Sequence, residues 1–216
     1  MVQQAERAAE AREDAPRRRG RPRSHLSDEK RRQIVAAAIE VFGEQGYNGA
    51  AFAAVAERVG MTLPGMLHYF RRKTDLLLAI LEERDEEHFA MAEAGAGGGW
   101  TRQREVLRGI VARNARRPAV VRLFTVLSAE ALCEGHPAGP WFRARSERVA
   151  GAVAAALRDS QARGELRDDL DPVALAVEIC AALEGLHVWW LRRPDQLDLV
   201  AQFDLYLERL ERAVLA

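Results

Sequence analysis

Residues 30–78 constrain the fold more than any other part of this sequence. Apolar residues recur there at three- and four-residue steps, the spacing that places them on one face of a helix. Gly46 and Gly60 interrupt the pattern, and glycine readily adopts the positive φ with which helices and tight turns end. The stretch predicts a long helix followed by two short helices, over 51–59 and 63–69. This layout is typical of a helix-turn-helix, which lays its last helix in the DNA major groove.

Local capping signals agree with this interpretation. Ser27 is a favourable first residue for the long helix, because its hydroxyl accepts from a free backbone N–H. Asp28 and Glu29 follow it and face the positive end of the helix. Thr62 offers the same cap to the third helix, and Pro64 falls in the first turn, where a missing N–H is tolerated.

The remaining sequence predicts more helices and no strand. Helical spacing continues to the C-terminus, and Gly- and Pro-containing segments such as 135–140 mark the breaks. The predicted helices cover 74–92, 100–116, 118–133, 140–163, 171–191 and 195–214. We therefore expect an all-α chain with a helix-turn-helix domain over 27–73 and a helical body over 74–216.

Charge is distributed unevenly along the chain. The 32 Lys and Arg residues balance 32 Asp and Glu residues overall. Residues 17–73, however, hold twelve basic and five acidic residues, a net of +7, so the remainder carries −7. A basic segment on a mildly acidic body favours a head that binds a polyanion such as DNA.

The sequence RRRGRPR at residues 17–23 predicts an extended basic arm, because Gly and Pro oppose a helix and like charges repel. Its core is similar to an AT-hook, whose arginines enter the narrow minor groove of A/T-rich DNA. We expect Arg19, Arg21 and Arg23 to contact DNA in this way, within a disordered arm over 1–26. The alternative is a solvated tail that binds phosphate without sequence preference.

The sequence contains no motif typical of a metal site or of a catalytic centre. Cys133 and Cys180 lie among apolar residues, and no Cys/His spacing typical of a metal site occurs. Glu130, Cys133 and His136 lie close enough to suggest a nucleophile with a base. However, no Gly-rich nucleophile turn, phosphate loop or HExxH motif accompanies them. We expect no enzyme, no catalytic residues, no metal and no cofactor.

The most apolar stretch, 173–191, contains Glu178, Glu184 and His187, which favours a buried helix over a membrane span. No apolar signal segment follows the N-terminus. We expect a cytoplasmic protein with no membrane partner.

Residues at fixed spacing within 30–78 also carry a family resemblance. They are Ala37 and Phe42, Gly46-Tyr47, Val55-Ala56, Gly60-Met61-Thr62, His68-Tyr69-Phe70, and Lys73 before Asp75-Leu76-Leu77. In this pattern the chain resembles the TetR family of bacterial regulators, and weaker similarity extends to about residue 215. Ala50, Ala51 and Leu67 depart from it, because the family commonly has threonine or tyrosine there.

The resemblance implies that the third helix enters the major groove. The residues expected at DNA are Ala51, Thr62, Leu63, Pro64, Gly65, His68, Tyr69 and Lys73. Thr62, Leu63, Gly65 and His68 are the candidates for base contacts, whereas Tyr69 and Lys73 are expected to hold phosphates. The alternative for His68 is a surface position without a role, and for Tyr69 it is packing alone.

The resemblance further implies that the body binds a small-molecule effector and forms a homodimer. The residues expected to line the effector pocket are His88, Phe89, Trp100, Phe124, Leu127, Glu130, Trp141, Phe142 and Arg145. Ordinary helical core is the alternative for each of them.

The last two helices carry broad apolar surfaces, which we expect to pair in a dimer. The residues expected at this interface are Ile179, Leu183, Leu186, His187, Trp190, Phe203, Tyr206, Leu207, Leu210 and Val214. A two-fold dimer predicts a palindromic operator in double-stranded DNA, and the effector would release a repressor from it. The competing interpretation is a helical DNA-binding regulator without a small-molecule effector, with a protein partner or an activator role.

Overall fold

A computed structural model describes the backbone of residues 23–93 and 98–215, and the side chains of residues 27–85 and 98–215. The described residues form nine helices and no strand beyond one isolated bridge between Leu166 and Leu215. The helices are α1 (Arg23–Gly49), α2 (Phe52–Arg58), α3 (Leu63–Leu67), α4 (Lys73–Glu93), α5 (Gly99–Ala115), α6 (Pro118–Glu130), α7 (Gly139–Ala162), α8 (Pro172–Arg192) and α9 (Leu199–Val214). The all-α prediction is confirmed. The chain divides after Gln33, and the packing described below lies within Ile34–Ala216.

The predicted turns around α2 and α3 are confirmed. Gly46 breaks the helical backbone of α1 with a φ of 73°, and Gly60 has a φ of 65°. The Thr62 hydroxyl accepts a hydrogen bond from the Gly65 N–H at 3.3 Å, so Thr62 caps α3. These features were predictable because each depends on a few neighbouring residues.

The predicted start of the first helix is wrong. α1 begins at Arg23, so Ser27 lies inside the helix and is not its cap. The intervening residues, 23–26, contain neither Gly nor Pro, and nothing in them ends the helix before Ser27. The arm proposed over 1–26 otherwise lies outside the described residues.

Two buried clusters form the core. The first joins Phe42 of α1, Met66 of α3 and Leu77 of α4 to Leu123 and Leu127 of α6. The helix-turn-helix therefore shares its core with a helix of the body. The second cluster lies among α5, α7, α8 and α9 and includes the buried residues Trp100, Leu157, Ile179, Phe203 and Leu207.

A carboxylate connects the end of α6 to the kink of α1. Glu130 Oε2 accepts a hydrogen bond from the Tyr47 N–H at 2.8 Å. A Cβ on Gly46 would lie 2.6 Å from Glu130 Oε1, so any other residue would have to displace the carboxylate from its present position. Tyr47 is buried, and its ring packs edge-on against Phe42 and His136, with centroid distances of 5.7 and 5.3 Å.

The start of α4 closes the same contact. The Tyr47 hydroxyl lies 3.0 Å from Thr74 Oγ1, and the Lys73 ammonium lies 4.3 Å from the centroid of the Tyr47 ring. Burial lowers the pKa of Lys73, while the negative charge of Glu130 opposes that shift. We call Gly46, Tyr47, Lys73, Glu130 and His136 the Tyr47 joint.

A second polar connection crosses the body. Arg84 Nη2 of α4 donates to Asn114 Oδ1 of α5 at 2.7 Å, and Asn114 Nδ2 lies 3.2 Å from His187 Nε2 of α8. Because the Asn114 amide nitrogen can only donate, Nε2 accepts and the imidazole is neutral. Burial, with a smaller contribution from the charge of Arg84, lowers the pKa of His187 to about 4.

We predict that Gly46→Ala destabilises the fold more than Gly60→Ala. Each places alanine at a positive φ, which costs about 1–2 kcal/mol, but only the Cβ at position 46 meets the Glu130 carboxylate. Gly49→Ala is the matched control, because its Cβ has open space and its φ is not positive. Urea unfolding at one protein concentration measures all three. Equal losses at positions 46 and 60 would show that Glu130 gives way freely.

We also predict that His187 makes the fold less stable in mild acid. Its lowered pKa means that, between pH 6.5 and about 4, the unfolded chain binds a proton that the folded chain does not. The free energy of unfolding is therefore unaffected by this histidine well above pH 6.5, and it falls by about 2 kcal/mol between pH 7.5 and pH 5. His187→Gln removes this titration, so its free energy of unfolding should fall less over the same range. Identical pH dependence in both proteins would contradict the assignment.

Candidate nucleic-acid interface

The buried side of α3 fixes which of its residues face outward. Met66 and Phe70 are buried in the first core cluster, so the opposite side of the helix faces solvent. Leu63 and Leu67, which flank the buried Met66, are 40% and 41% exposed. The structure thus presents a continuous outer surface from the cap of α3 to its last residue.

Most residues predicted to contact DNA lie on or beside this surface. Thr62, Leu63, Pro64 and His68 are exposed, while Gly65 and Tyr69 are half-buried. Ala51 is exposed at the N-cap of α2 and makes no side-chain capping bond, as expected for alanine. Leu67 was not among the residues predicted to contact DNA, although its spacing of four residues from Leu63 places both on one face of the helix.

The basic residues around α3 occupy different environments. Arg72 forms an ion pair with Asp75 at 2.8 Å, and Arg58 pairs with Glu40 and Glu44 at 3.0 and 3.3 Å. Lys73, predicted to hold a phosphate, lies over the Tyr47 ring in the joint. Lys73 is half-buried there, and its phosphate contact stays a prediction. Arg19, Arg21 and the side chain of Arg23 lie outside the described residues.

Four of the residues predicted to line an effector pocket come together. The rings of Phe124, Trp141 and Phe142 contact one another, with centroid distances of 4.9 to 6.2 Å. The Arg145 guanidinium lies 5.8 Å from the Trp141 ring centroid and 3.3 Å from Asp85. Burial lowers the pKa of Arg145, and the charge of Asp85 opposes this.

The other predicted pocket residues lie elsewhere. Trp100 belongs to the second core, where its N–H groups donate to Glu165 at 2.6 Å and to Glu211 at 3.0 Å. Glu130 is in the Tyr47 joint, and Leu127 is buried in the first core. The side chains of His88 and Phe89 lie outside the described part of the chain.

Polar residues that sequence analysis missed surround the aromatic group. Arg84 lies 5.4 Å from the Phe124 ring centroid, and Arg148 pairs with Asp85. Asp85 and Asn114 are buried. Their one sequence signal is a polar residue within an otherwise apolar helical pattern, which does not distinguish a buried position from an exposed one.

The structure places most residues of the predicted dimer interface inside the chain's own second core. The buried residues among them are Ile179, Trp190, Phe203, Leu207, Leu210 and Val214, while Leu183, Leu186 and Tyr206 pack partly against the same cluster. His187 faces Asn114. The exposed apolar residues on the same two helices are Val173, Val177, Trp189 and Leu205. Sequence could not separate core residues from interface residues here, because α8 is apolar on two sides and periodicity does not show which side packs against the rest of the chain.

Among the described residues, α8 is the one helix with the length and hydropathy of a membrane span. It contacts α7, α9 and α6 and buries Leu175, Ala176 and Ile179 against them, so it is a core helix. No group of three or more His, Cys, Asp or Glu residues in the described part of the chain has the arrangement of a metal site.

Known proteins similar to this chain are transcriptional regulators with a helix-turn-helix. The family model for bacterial regulatory proteins of the tetR family matches residues 34–80. The transcriptional repressor AcnR of Corynebacterium diphtheriae is 30% identical over 160 residues, which cover 72% of this chain and 78% of that protein. The transcriptional activator FasR of Mycolicibacterium smegmatis is 38% identical over 84 residues, or 38% of this chain and 36% of that protein.

A solved structure shows that the likeness extends through the body. A transcriptional regulator from Saccharomonospora viridis, in complex with choline, superposes with a TM-score of 0.72. It is 19% identical, and the match covers 88% of this chain and 99% of that one, so it shows a shared fold. With the helix-turn-helix match and the similarity to AcnR, the chain belongs to the TetR family and is a DNA-binding transcriptional regulator, not an enzyme.

Proposed function

We propose that this regulator is a repressor that binds a palindromic operator as a homodimer and is released by a small-molecule effector. The observation that carries the proposal is the Tyr47 joint. Glu130, the last residue of α6, holds the backbone at the kink of α1, and the buried cluster around it includes α3. A change in the body at α6 therefore acts directly on the helices that present the DNA-binding surface.

The proposed DNA contacts follow from the exposed surface of α3. Thr62, Leu63, Pro64 and His68 face the bases, and nearby basic groups such as Arg71 contact phosphates. The basic arm adds sequence-independent affinity, so binding weakens as salt concentration rises. We propose two functional parts, a helix-turn-helix domain over 27–73 and a ligand-binding and dimerisation domain over 74–216. The division is one of function and not of packing, because both parts contribute residues to the first core.

The proposed dimer uses the outer faces of α8 and α9. Val177 and Trp189 are 54% and 51% exposed, and Val173 and Leu205 are 48% and 38% exposed. Such a surface on adjacent helices is suited to a four-helix bundle between two copies. The resulting two-fold axis relates two DNA-binding surfaces, which requires half-sites about 34–36 Å apart or a multiple of that distance.

The proposed effector region is the aromatic group of Phe124, Trp141 and Phe142 with the polar residues around it. Apolar walls with a few polar groups are typical of small-molecule sites. The S. viridis relative binds choline, a cation. We expect a different ligand class here, because guanidinium groups already lie over Phe124 and Trp141, where a quaternary ammonium would bind. Release requires that the ligand bind one of two dimer states more tightly.

An activator role is the second candidate function, and the similarity to the activator FasR over 84 residues favours it. A regulator of this kind need not have a small-molecule effector. A reporter gene downstream of the bound DNA separates the two roles: deleting the regulator raises expression if it is a repressor and lowers expression if it is an activator. A thermal-shift screen of metabolites and drugs tests for an effector.

The direct test of the proposed function is an electrophoretic mobility shift with DNA from upstream of the regulator's own gene. We expect a shift that resists scrambled competitor and weakens with salt. A chain lacking residues 1–22, which leaves α1 intact, should bind more weakly and with a smaller salt dependence. A shift that any DNA abolishes equally would contradict sequence-specific binding.

We predict that Val177→Glu converts the dimer into monomers and weakens operator binding at least tenfold. The substitution places a charge in the proposed apolar interface without touching the chain's own core. Leu132→Glu is the matched control, because Leu132 is 88% exposed but lies in the turn after α6. Sedimentation velocity measures the oligomeric state of both. A dimeric Val177→Glu protein would exclude this face.

A further inference from the structure

The surface that α3 offers to DNA is largely apolar. The segment from Thr62 to His68 reads TLPGMLH and contains no Arg, Lys, Asn, Gln, Asp or Glu. Those six residue types make the directional hydrogen bonds by which major-groove proteins distinguish guanine, adenine and cytosine. Thr62 and His68 are the polar side chains of this segment, and the Thr62 hydroxyl already accepts from the Gly65 N–H. Hydrogen bonding alone therefore leaves α3 with little capacity to select a sequence.

Two leucines dominate the outer surface instead. Leu63 and Leu67 are four residues apart, so they lie on one face of the helix, one turn from each other. They are 40% and 41% exposed and flank Met66, which is buried and anchors the helix together with the buried Phe70 beyond its end. The capped, core-anchored helix holds both isobutyl groups outward as a single ridge, which we call the leucine ridge. Pro64 is also exposed beside it.

The major groove offers one apolar group to such a ridge, the 5-methyl group of thymine. Packing a leucine against this methyl removes two apolar surfaces from water. Packing it against a guanine or cytosine edge instead removes water from hydrogen-bonding groups and gives them no new partner. The ridge therefore distinguishes thymine from the other bases by burial, without a hydrogen bond.

We propose that Leu63 and Leu67 select the operator by contacting thymine methyl groups in each half-site, a step that rests on the operator binding proposed above. Leu63 and Leu67 are then specificity-determining residues, and His68 supplies the directional contact at the end of the helix. The half-site must carry thymines where the ridge meets the groove. The phosphate contacts fix the position of the helix but do not contribute to this selection.

The test replaces thymine by deoxyuridine in the half-sites of a DNA fragment that the full-length regulator binds in the presence of scrambled competitor. Deoxyuridine removes the methyl group and keeps every Watson–Crick hydrogen bond. Fluorescence anisotropy at one salt concentration gives the dissociation constants. We expect about a fourfold loss of affinity for each methyl group that a leucine covers, from about 0.8 kcal/mol per buried carbon. Substitution in both half-sites should therefore cost tenfold or more.

Variants of the ridge connect this loss to the two leucines. Leu63→Ala and Leu67→Ala should each lose the part of the thymine preference that its own leucine provides, and the double variant should bind thymine and deoxyuridine operators with nearly equal affinity. Both residues are exposed, so circular dichroism should show unchanged folding. Arg71→Ala is the matched control beside the ridge: it should weaken both operators by the same factor and preserve their ratio.

The outcomes separate this inference from the proposed function. If the wild-type regulator binds both operators equally tightly, the leucines do not sense thymine methyls, while sequence-specific binding stands. If the thymine preference persists in the double alanine variant, other residues carry it and the assignment is wrong. If no fragment resists scrambled competitor, the proposed operator binding fails, and the leucine ridge fails with it.

Discussion

The hydrogen bond from the Tyr47 N–H to the Glu130 carboxylate is the contact on which the arrangement of this regulator depends. It is possible because Gly46 turns the chain at a positive φ and has no side chain where the carboxylate lies. The turn sends the Tyr47 ring inward between Phe42 and His136, and the tyrosine hydroxyl then meets Thr74 at the start of α4. One glycine, one backbone N–H and one carboxylate thus bring the ends of α1 and α6 and the start of α4 together.

This contact connects the proposed effector region to the DNA-binding surface through a single helix, α6. Phe124, in the aromatic group, and Glu130, in the joint, belong to the same helix, α6. A ligand that displaces the aromatic group displaces a helix whose last residue holds the kink of α1. Leu123 and Leu127 of α6 also pack in the cluster that contains Met66, so we expect the helix that carries the leucine ridge to respond to the same movement. Packed cores of this kind transmit a shift as a change between discrete arrangements.

The helix-turn-helix was predictable from sequence because its determinants are local. Gly46, Gly60, Thr62 and Pro64 act on their immediate neighbours, and helical spacing marks Met66 and Phe70 as inward residues. The outward faces of α8 and α9, the position of Lys73 and the Arg84–Asn114–His187 connection depend on which helices meet. Periodicity shows that α8 is apolar on two sides, but only packing shows that Ile179 and Trp190 face the chain's own core and Val177 and Trp189 face outward. Likewise, only the fold shows that Lys73 lies over the Tyr47 ring, because the two residues are far apart in sequence.

The measurement that most directly tests a two-fold regulator with α3 in the major groove is hydroxyl-radical footprinting of the full-length protein on its upstream DNA. We predict two equivalent blocks of protection on one face of the duplex, related by a two-fold axis. Their centres should lie about one helical turn apart, or a multiple of it. A single unsymmetrical block, or uniform protection along the fragment, would contradict this prediction.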